Sequence, residues 1–230
     1  MYSLGLRLLF FELVDDLGGK IRRAEHSKGD IAISTLDGRA YYHFTNMLKR
    51  MNLPYTSSLF DYLKDEVKLV LTTEKEQGFI PYHKVLTLTE FTGNLDLSKL
   101  KIYWSLYGKD LLIIGLDPGK RIGMVAYYGS ILLVSRIFNS ASEAVDSVSR
   151  LLRYPAVKKI IKIGDGDQHV ARALASSLYS VAKDGVIIEL VDEKGTSVPA
   201  SYQLGLKRDI GAAMMIAFRP GSRYKPLLKH

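Results

Sequence analysis

Leu111-Leu112-Ile113-Ile114-Gly115-Leu116-Asp117-Pro118-Gly119-Lys120-Arg121-Ile122-Gly123 opens as an unbroken apolar run, then turns polar through an aspartate, a proline and a glycine. An apolar run of this length bounded by turn residues suits a strand buried on both faces of a sheet. Leu111–Leu116 is therefore read as a central strand and Asp117-Pro118-Gly119 as the turn that ends it. Downstream, Ile122–Tyr128 and Ile131–Ile137 read as two more strands, joined at the hairpin signal Gly129-Ser130. Ser140, with Glu143 three residues on, has the pattern of a capping box and predicts a helix through about Leu152. A strand at Val157–Ile163, a helix from about Gln168 to Ala182, a strand at Val186–Val191 and a helix from about Lys207 to Phe218 follow. The order β-β-β-α-β-α-β-α predicts a mixed sheet with an antiparallel hairpin edge and a parallel portion covered by helices.

Upstream, the pattern is that of a second and smaller α/β layer. Leu6, Leu9, Phe10, Leu13, Val14 and Leu17 recur at helical spacing and stop at Gly18-Gly19. Strand-like runs stand at Lys20–Ala24, Asp30–Ser34 and Val67–Thr72, with a helical stretch around Phe44–Met51 ended by Pro54. Val85–Phe91 alternates apolar residues with threonines, and Ile102–Leu106 is a further short apolar run that closes this layer or bridges to the next. The turn signal Tyr107-Gly108-Lys109-Asp110 marks the boundary, which divides the chain into an N-terminal α/β domain, 1–108, and a C-terminal domain, 109–230.

Composition narrows the classes available. With no cysteine, disulfides, thiolate nucleophiles and zinc–thiolate centres are excluded, so any metal must take oxygen or imidazole ligands. No apolar run approaches the roughly 18–20 residues that span a bilayer, which leads to the expectation of a cytoplasmic protein with no membrane partner. The net charge of +8 is uneven: residues 1–109 hold 15 lysines and arginines against 13 acids, and residues 110–230 hold 17 against 11. A basic domain attracts polyanions and gains from counterion release at phosphates, so nucleic acid is the natural partner.

Within the C-terminal domain three stretches resemble one family. Ile114–Gly123 looks like the first-strand motif of the RuvC and YqgF family of resolvases and nucleases, where an apolar strand ends in an aspartate before a glycine turn. Val191-Asp192-Glu193-Lys194-Gly195-Thr196-Ser197 is similar to the Asp-Glu-Arg-x-Thr stretch of YqgF-like proteins, with lysine in place of the family arginine and glycine before the threonine. Arg208-Asp209-Ile210-Gly211-Ala212-Ala213-Met214-Met215-Ile216-Ala217 resembles the family's last helix, with its aspartate followed by small residues. The resemblance covers about the last 120 residues and implies an RNase H-like fold. It also implies Asp117 and Asp209 as catalytic carboxylates. The third acid is implied either after the fourth strand, at Asp165, or after the fifth, at Asp192 or Glu193.

Such a cluster suits phosphodiester hydrolysis. Two divalent ions about 3.5–4 Å apart activate a water and stabilise the departing oxygen while carboxylates hold them. The expected catalytic set is Asp117, Asp165, Glu193 and Asp209, and the expected ligands of Mg²⁺ or Mn²⁺ are these four with Asp192. Lys120, Arg121, Lys194, Lys207 and Arg208 lie beside the acids and would hold phosphates. The expectation is a metal-dependent nuclease of Holliday-junction-resolvase or related type, acting on branched DNA or structured RNA in recombination, repair or RNA processing. A homodimer would serve paired cuts. Two other readings stand beside it: a non-catalytic nucleic-acid-binding protein on a degenerate RNase H-like fold, and an actin-like nucleotide-binding protein. Each acid alone also has an ordinary use: Asp-Pro-Gly as a turn, Asp209 as a helix cap, Gly164–Gly166 as a loop. His169 suits a helix start, and Tyr41, Tyr42, Phe44, Tyr127 and Tyr128 suit core packing more readily than base stacking.

Overall fold

The computed structural model describes residues 29–82, 84–108, 111–182, 185–193 and 208–226. These divide into two compact units, 29–108 and 111–226, each built on its own sheet. The helix read at Leu6–Leu17, the run at Lys20–Ala24 and the Lys109-Asp110 half of the boundary signal lie outside the described residues.

The first unit holds a four-stranded parallel sheet. Its strands are β1 (Ile31–Ile33), β2 (Thr56–Ser57), β3 (Leu69–Thr72) and β4 (Val85–Thr87), in the order β2-β1-β3-β4. β1 and β3, each paired on both sides, are buried throughout, as apolar parallel strands must be when both faces are covered. Helix α1 (Gly38–Arg50) begins six residues before the expected Phe44 because the Asp37 carboxylate caps the amides of Arg39 and Ala40. Its buried stripe of Ala40, Phe44, Met47 and Leu48 has helical spacing, but the exposed Tyr41, Tyr42 and His43 obscure it in the sequence. Helix α2 (Leu95–Tyr107) absorbs the run Ile102–Leu106, which is therefore not a strand. Asn94 caps it, and Leu100, Ile102, Tyr103 and Leu106 bury one side. The alternation at Val85–Phe91 breaks after β4 into a single 3₁₀ turn, Leu88–Glu90, where Glu90 accepts the Thr87 amide.

In the second unit the elements run β5 (Leu111–Pro118), β6 (Ile122–Tyr128), β7 (Ile131–Phe138), α3 (Ala141–Leu152), β8 (Lys158–Gly164), α4 (Gln168–Val181), β9 (Val186–Val191), α5 (Arg208–Phe218) and β10 (Ser222–Arg223). The sheet order is β10-β9-β8-β5-β6-β7. β5–β6–β7 are antiparallel and β5–β8–β9 parallel, so β5 is the hinge between the two halves of a mixed sheet. This is the expected order with one short antiparallel edge strand added. β5 runs two residues further than expected, through Pro118. Proline is tolerated there because β8 pairs no further than Leu116, so no ladder bond on that side is lost. The turn falls at Gly119–Arg121, and Gly129 takes the left-handed conformation (φ 56°) that its hairpin needs. Ser140 accepts the Glu143 amide as the capping box predicts, but the Glu143 carboxylate takes the amide of Asn139 rather than that of Ser140.

Helices cover this sheet according to parity along its strands. Ile113, Gly115 and Asp117 of β5 share one face, and Gly123, Val125 and Tyr127 of β6 pair with them across the ladder. Helix α5 packs on that face through Ile210, Ala213, Ala217 and Phe218, with Tyr127 and Phe218 edge to face at 4.7 Å. Each large apolar side chain buried here contributes about 1.5–3 kcal/mol. Helix α3 packs on β6 and β7, and α4 on β5, β8 and β9. Two glycines set how close α5 can come. A Cβ at Gly123 would overlap the Asp209 carbonyl, and one at Gly115 would stand 2.8 Å from the Ala217 methyl and closer still to the Ala213 carbonyl. Further along the same face, buried Lys162 donates to the Arg219 carbonyl at the end of α5 and lies 3.4 Å from Glu189.

The glycine contact gives a direct test of this packing. Gly123→Ala should lower stability by about 1–3 kcal/mol, the range for overpacking a core, or by more where the backbone cannot shift. Gly119→Ala, whose Cβ would meet nothing nearer than 3.5 Å, should leave the urea midpoint almost unchanged. Equal midpoints for the two variants would mean that α5 does not sit on β6 at this distance.

Candidate functional site

The C-terminal ends of β5, β8 and β9 open on one rim, the place where open α/β sheets bind ligands. Asp117 reaches it from the last turn-ward residues of β5. Its parity puts it on the face covered by α5, opposite Gly123 on β6. Asp209, the second residue of α5, lies over that same Gly123, so strand and helix bring the two acids to one place.

Asp165 and Glu193 meet at the neighbouring strand ends. Asp165 follows β8 and continues its pairing, with its amide donating to the Val191 carbonyl at 3.0 Å. Its carboxylate accepts the Glu193 amide at 3.3 Å, and Glu193 Oε1 in turn accepts the Gly166 amide at 3.2 Å. The Glu193 carboxyl lies so close over Gly164 and Gly166 that a side chain at Gly164 would displace it. Those two glycines are the local sequence signal for Glu193's approach. Of the adjacent pair, Glu193 is half-buried and bears on Asp117, while Asp192 is exposed.

Electrostatics records the convergence. The Asp117 carboxyl is pushed up to about 6, first by burial, then by the charges of Glu193 and Asp209, with Arg208 alone pulling the other way. Like charges gathered in a partly dry rim disfavour ionisation. Asp209 has a different neighbour: Arg121, from the β5–β6 turn, places a guanidinium nitrogen 2.8 Å from Asp209 Oδ2. This is an ion pair without aligned hydrogen-bond geometry, and Oδ2 is buried with no hydrogen-bond partner among the described residues.

The remaining expected residues are spread more widely. Lys120 is exposed on the β5–β6 turn, and Arg208 opens α5 beside the acids. Lys194 and Lys207 lie outside the described residues. His169 is exposed in the first turn of α4, where Asp167 caps the His169 and Val170 amides. Phe44, Tyr127 and Tyr128 are buried in the core, whereas Tyr41 and Tyr42 are exposed on α1. Sequence reading missed the buried Lys162, because a lysine in the run Lys158–Gly164 looks like a solvent-facing strand position. It also did not pair Arg121 with Asp209.

The donor set is all oxygen, which suits a hard divalent cation. As the side chains stand, no group of three or more His, Asp or Glu among the described residues is arranged to hold a metal ion. Asp117, Asp209 and Glu193 are thus gathered, but not closed into a ligand shell.

A raised carboxyl pKa has a definite pH signature. In the folded protein Asp117 holds its proton to about pH 6, and in the unfolded chain only to about 3.9, so its ionisation lowers stability as pH rises through that window. Asp117→Asn removes this term. Allowing for partial solvent screening, in metal-free buffer the variant should be more stable than wild type by about 1–2 kcal/mol at pH 7. The gap should close near pH 4. A constant gap across pH 4–7 in chemical denaturation would mean that Asp117 does not carry this repulsion.

No protein-family model matches the chain, and no curated protein matches it. Among solved structures, a crystal structure of Aa-Ago with externally bound siRNA aligns with 72% of this chain at 14% identity, with a TM-score of 0.27. The alignment covers 36% of that chain, so this protein spans about a third of its length. Among the described residues no helix is long and apolar enough to cross a membrane. The six-stranded mixed sheet is consistent with an RNase H-like fold, and no family is assigned.

Proposed function

We propose that the protein is a divalent-metal-dependent nuclease that hydrolyses phosphodiester bonds in branched DNA or structured RNA. The observation that carries this reading is the convergence of acids at the rim: Asp209 lies over Gly123 opposite Asp117, and the charges of Glu193 and Asp209 both act on the half-buried Asp117 carboxyl. An acid cluster of this kind costs stability, and a bound cation relieves the cost. Asp117, Asp209 and Glu193 would hold Mg²⁺ or Mn²⁺, with Asp165 bracing Glu193 through its amide and Asp192 at the margin. A divalent ion in such a site activates water and stabilises the leaving oxygen. The protein's own part is to orient the acids through the strand ends and α5, and to offer phosphate-binding charge at Lys120, Arg121, Lys207 and Arg208. The basic balance of the C-terminal half supports a polyanionic substrate.

The ion pair of Asp209 with Arg121 favours a second reading, a nucleic-acid-binding protein whose cluster is no longer catalytic. One experiment separates them: a Mn²⁺-dependent cleavage screen over four-way junctions, flaps, hybrids and structured RNA. The nuclease reading expects Asp117→Asn and Asp209→Asn each to reduce cleavage by about 100-fold or more, with binding of the same substrate within a few-fold of wild type. Binding without cleavage by wild type on every substrate would replace the nuclease with the binding protein. Equal cleavage by all three proteins would remove the two aspartates from the chemistry.

A further inference from the structure

Arg121 lies at the end of the β5–β6 turn, and its guanidinium stands 2.8 Å from the one Asp209 oxygen that is buried without a hydrogen-bond partner. Four observations bear on what this contact does. The Asp209 backbone is held at the rim, because its carbonyl and Cβ lie against Gly123 with no room for a side chain between them. Arg121 is free to leave, since about half of its side chain is exposed and it sits on a turn beside Gly119. The rim gathers more acids than bases even with Arg121 in place, with Asp117, Asp165, Glu193 and Asp209 set against Arg121 and Arg208. The acids as they stand form no closed ligand group among the described residues.

We propose that Arg121 is the resting counter-ion of Asp209 and that a divalent cation must exchange with it to enter the site. The proposal rests on the metal-site reading given above and adds its regulation. A guanidinium and a metal ion at short range from the same carboxylate oxygen repel each other, so Arg121 and the cation compete for Oδ2. Competition has two consequences. Arg121 weakens cation binding in the absence of substrate, and cation binding releases a positive side chain at the rim, where a substrate phosphate would accept it. Arginine suits both positions because its planar fork pairs with carboxylate and phosphate alike. The arrangement holds the acid cluster partly neutralised when empty, and makes cation and phosphate arrive with mutual support. That mutual support is a coupling between two ligands, and it must be reciprocal.

The test is Mn²⁺ titration of the full chain, followed by calorimetry and by the rise in melting temperature, in wild type, Arg121→Gln, Arg121→Lys and Asp209→Asn. Arg121→Gln should bind Mn²⁺ roughly two- to fivefold more tightly than wild type, the upper part of the range expected for losing a partly exposed ion pair. Arg121→Lys, which keeps the charge but not the fork, should fall between them, and Asp209→Asn should bind weakly. The metal-free melting temperatures of the arginine variants show that they are folded. In the wild type, the Arg121 side-chain Nε–H resonance should shift on addition of Mg²⁺. Equal or weaker Mn²⁺ binding by Arg121→Gln, with wild type binding normally, overturns the exchange and leaves the metal site standing. Absence of binding in both wild type and Arg121→Gln overturns the metal site and the exchange together.

Discussion

The close seating of helix α5 on β5 and β6 is the contact from which the rest of the rim follows. Gly115 and Gly123 remove the two side chains that would otherwise hold helix and sheet apart. Ala213 and Ala217 do the same from the helix side, so the backbones approach and the apolar edge of α5 is sealed by Ile210, Phe218 and Tyr127. This geometry has an electrostatic price. It carries Asp209 onto the strand pair that ends in Asp117, and it takes water away from Asp117 at the same time. A helix seated a few ångströms higher would leave both acids hydrated and independent.

Beyond the glycines, the opposite end of the helix is fixed by a different device. Lys162 is buried on the α5 side of β8, where it meets the helix-terminal Arg219 carbonyl and the Glu189 carboxylate. A cation at a helix C-terminus is favourably placed with respect to the helix dipole, but a buried ion pair gives little net stability over an apolar pair of similar size. Its value here is positional. The glycines set the height of α5 above the sheet, and the lysine sets its position along it, so the first turn that bears Asp209 is constrained from both ends.

Fold and site were legible to different depths, for physical reasons. The second unit could be read because each of its elements advertises itself: β5 is a long apolar run, Gly129-Ser130 requires a left-handed turn, and Ser140 caps a helix whose buried residues recur at 3.6-residue spacing. In the first unit the signals compete. Ile102–Leu106 is as apolar as a strand, and it becomes helix because Asn94 caps a turn eight residues upstream. Asp37 extends α1 backwards through residues whose apolar stripe is obscured by the exposed Tyr41, Tyr42 and His43. At the rim, Asp117 and Asp209 could be named because strand-end and helix-start positions follow from one-dimensional pattern. The choice between Asp192 and Glu193 could not, since it depends on which carboxyl folds back over Gly164 and Gly166. The partner of Arg121 depends on a turn conformation, and that leaves no trace in spacing.

The two sheets place carboxylates at equivalent positions and treat them in opposite ways. In the parallel sheet of the first unit, the segments following β1, β3 and β4 also carry acids, but each is met by donors. Glu76 accepts from the hydroxyls of Thr35 and Thr73 at 2.5 and 2.6 Å and from the Leu36 amide at 2.7 Å, and Glu74 accepts from both the amide and the hydroxyl of Thr89. Those bonds hold Glu74 below the ordinary carboxylate range and, against the opposing effect of burial, Glu76 as well. Hydrogen bonds to the charged form satisfy an acid and make it a brace for loops. At the rim of the mixed sheet Asp117 moves in the other direction, because among the described residues it is partly buried without such donors, its neighbours are other acids, and the one offsetting charge is Arg208. A brace needs its donors built in, whereas a ligand-binding acid needs its lone pairs kept for what arrives. Strand-end acids alone do not mark a site, since both units have them. What distinguishes the rim at Asp117 is that its acids face one another.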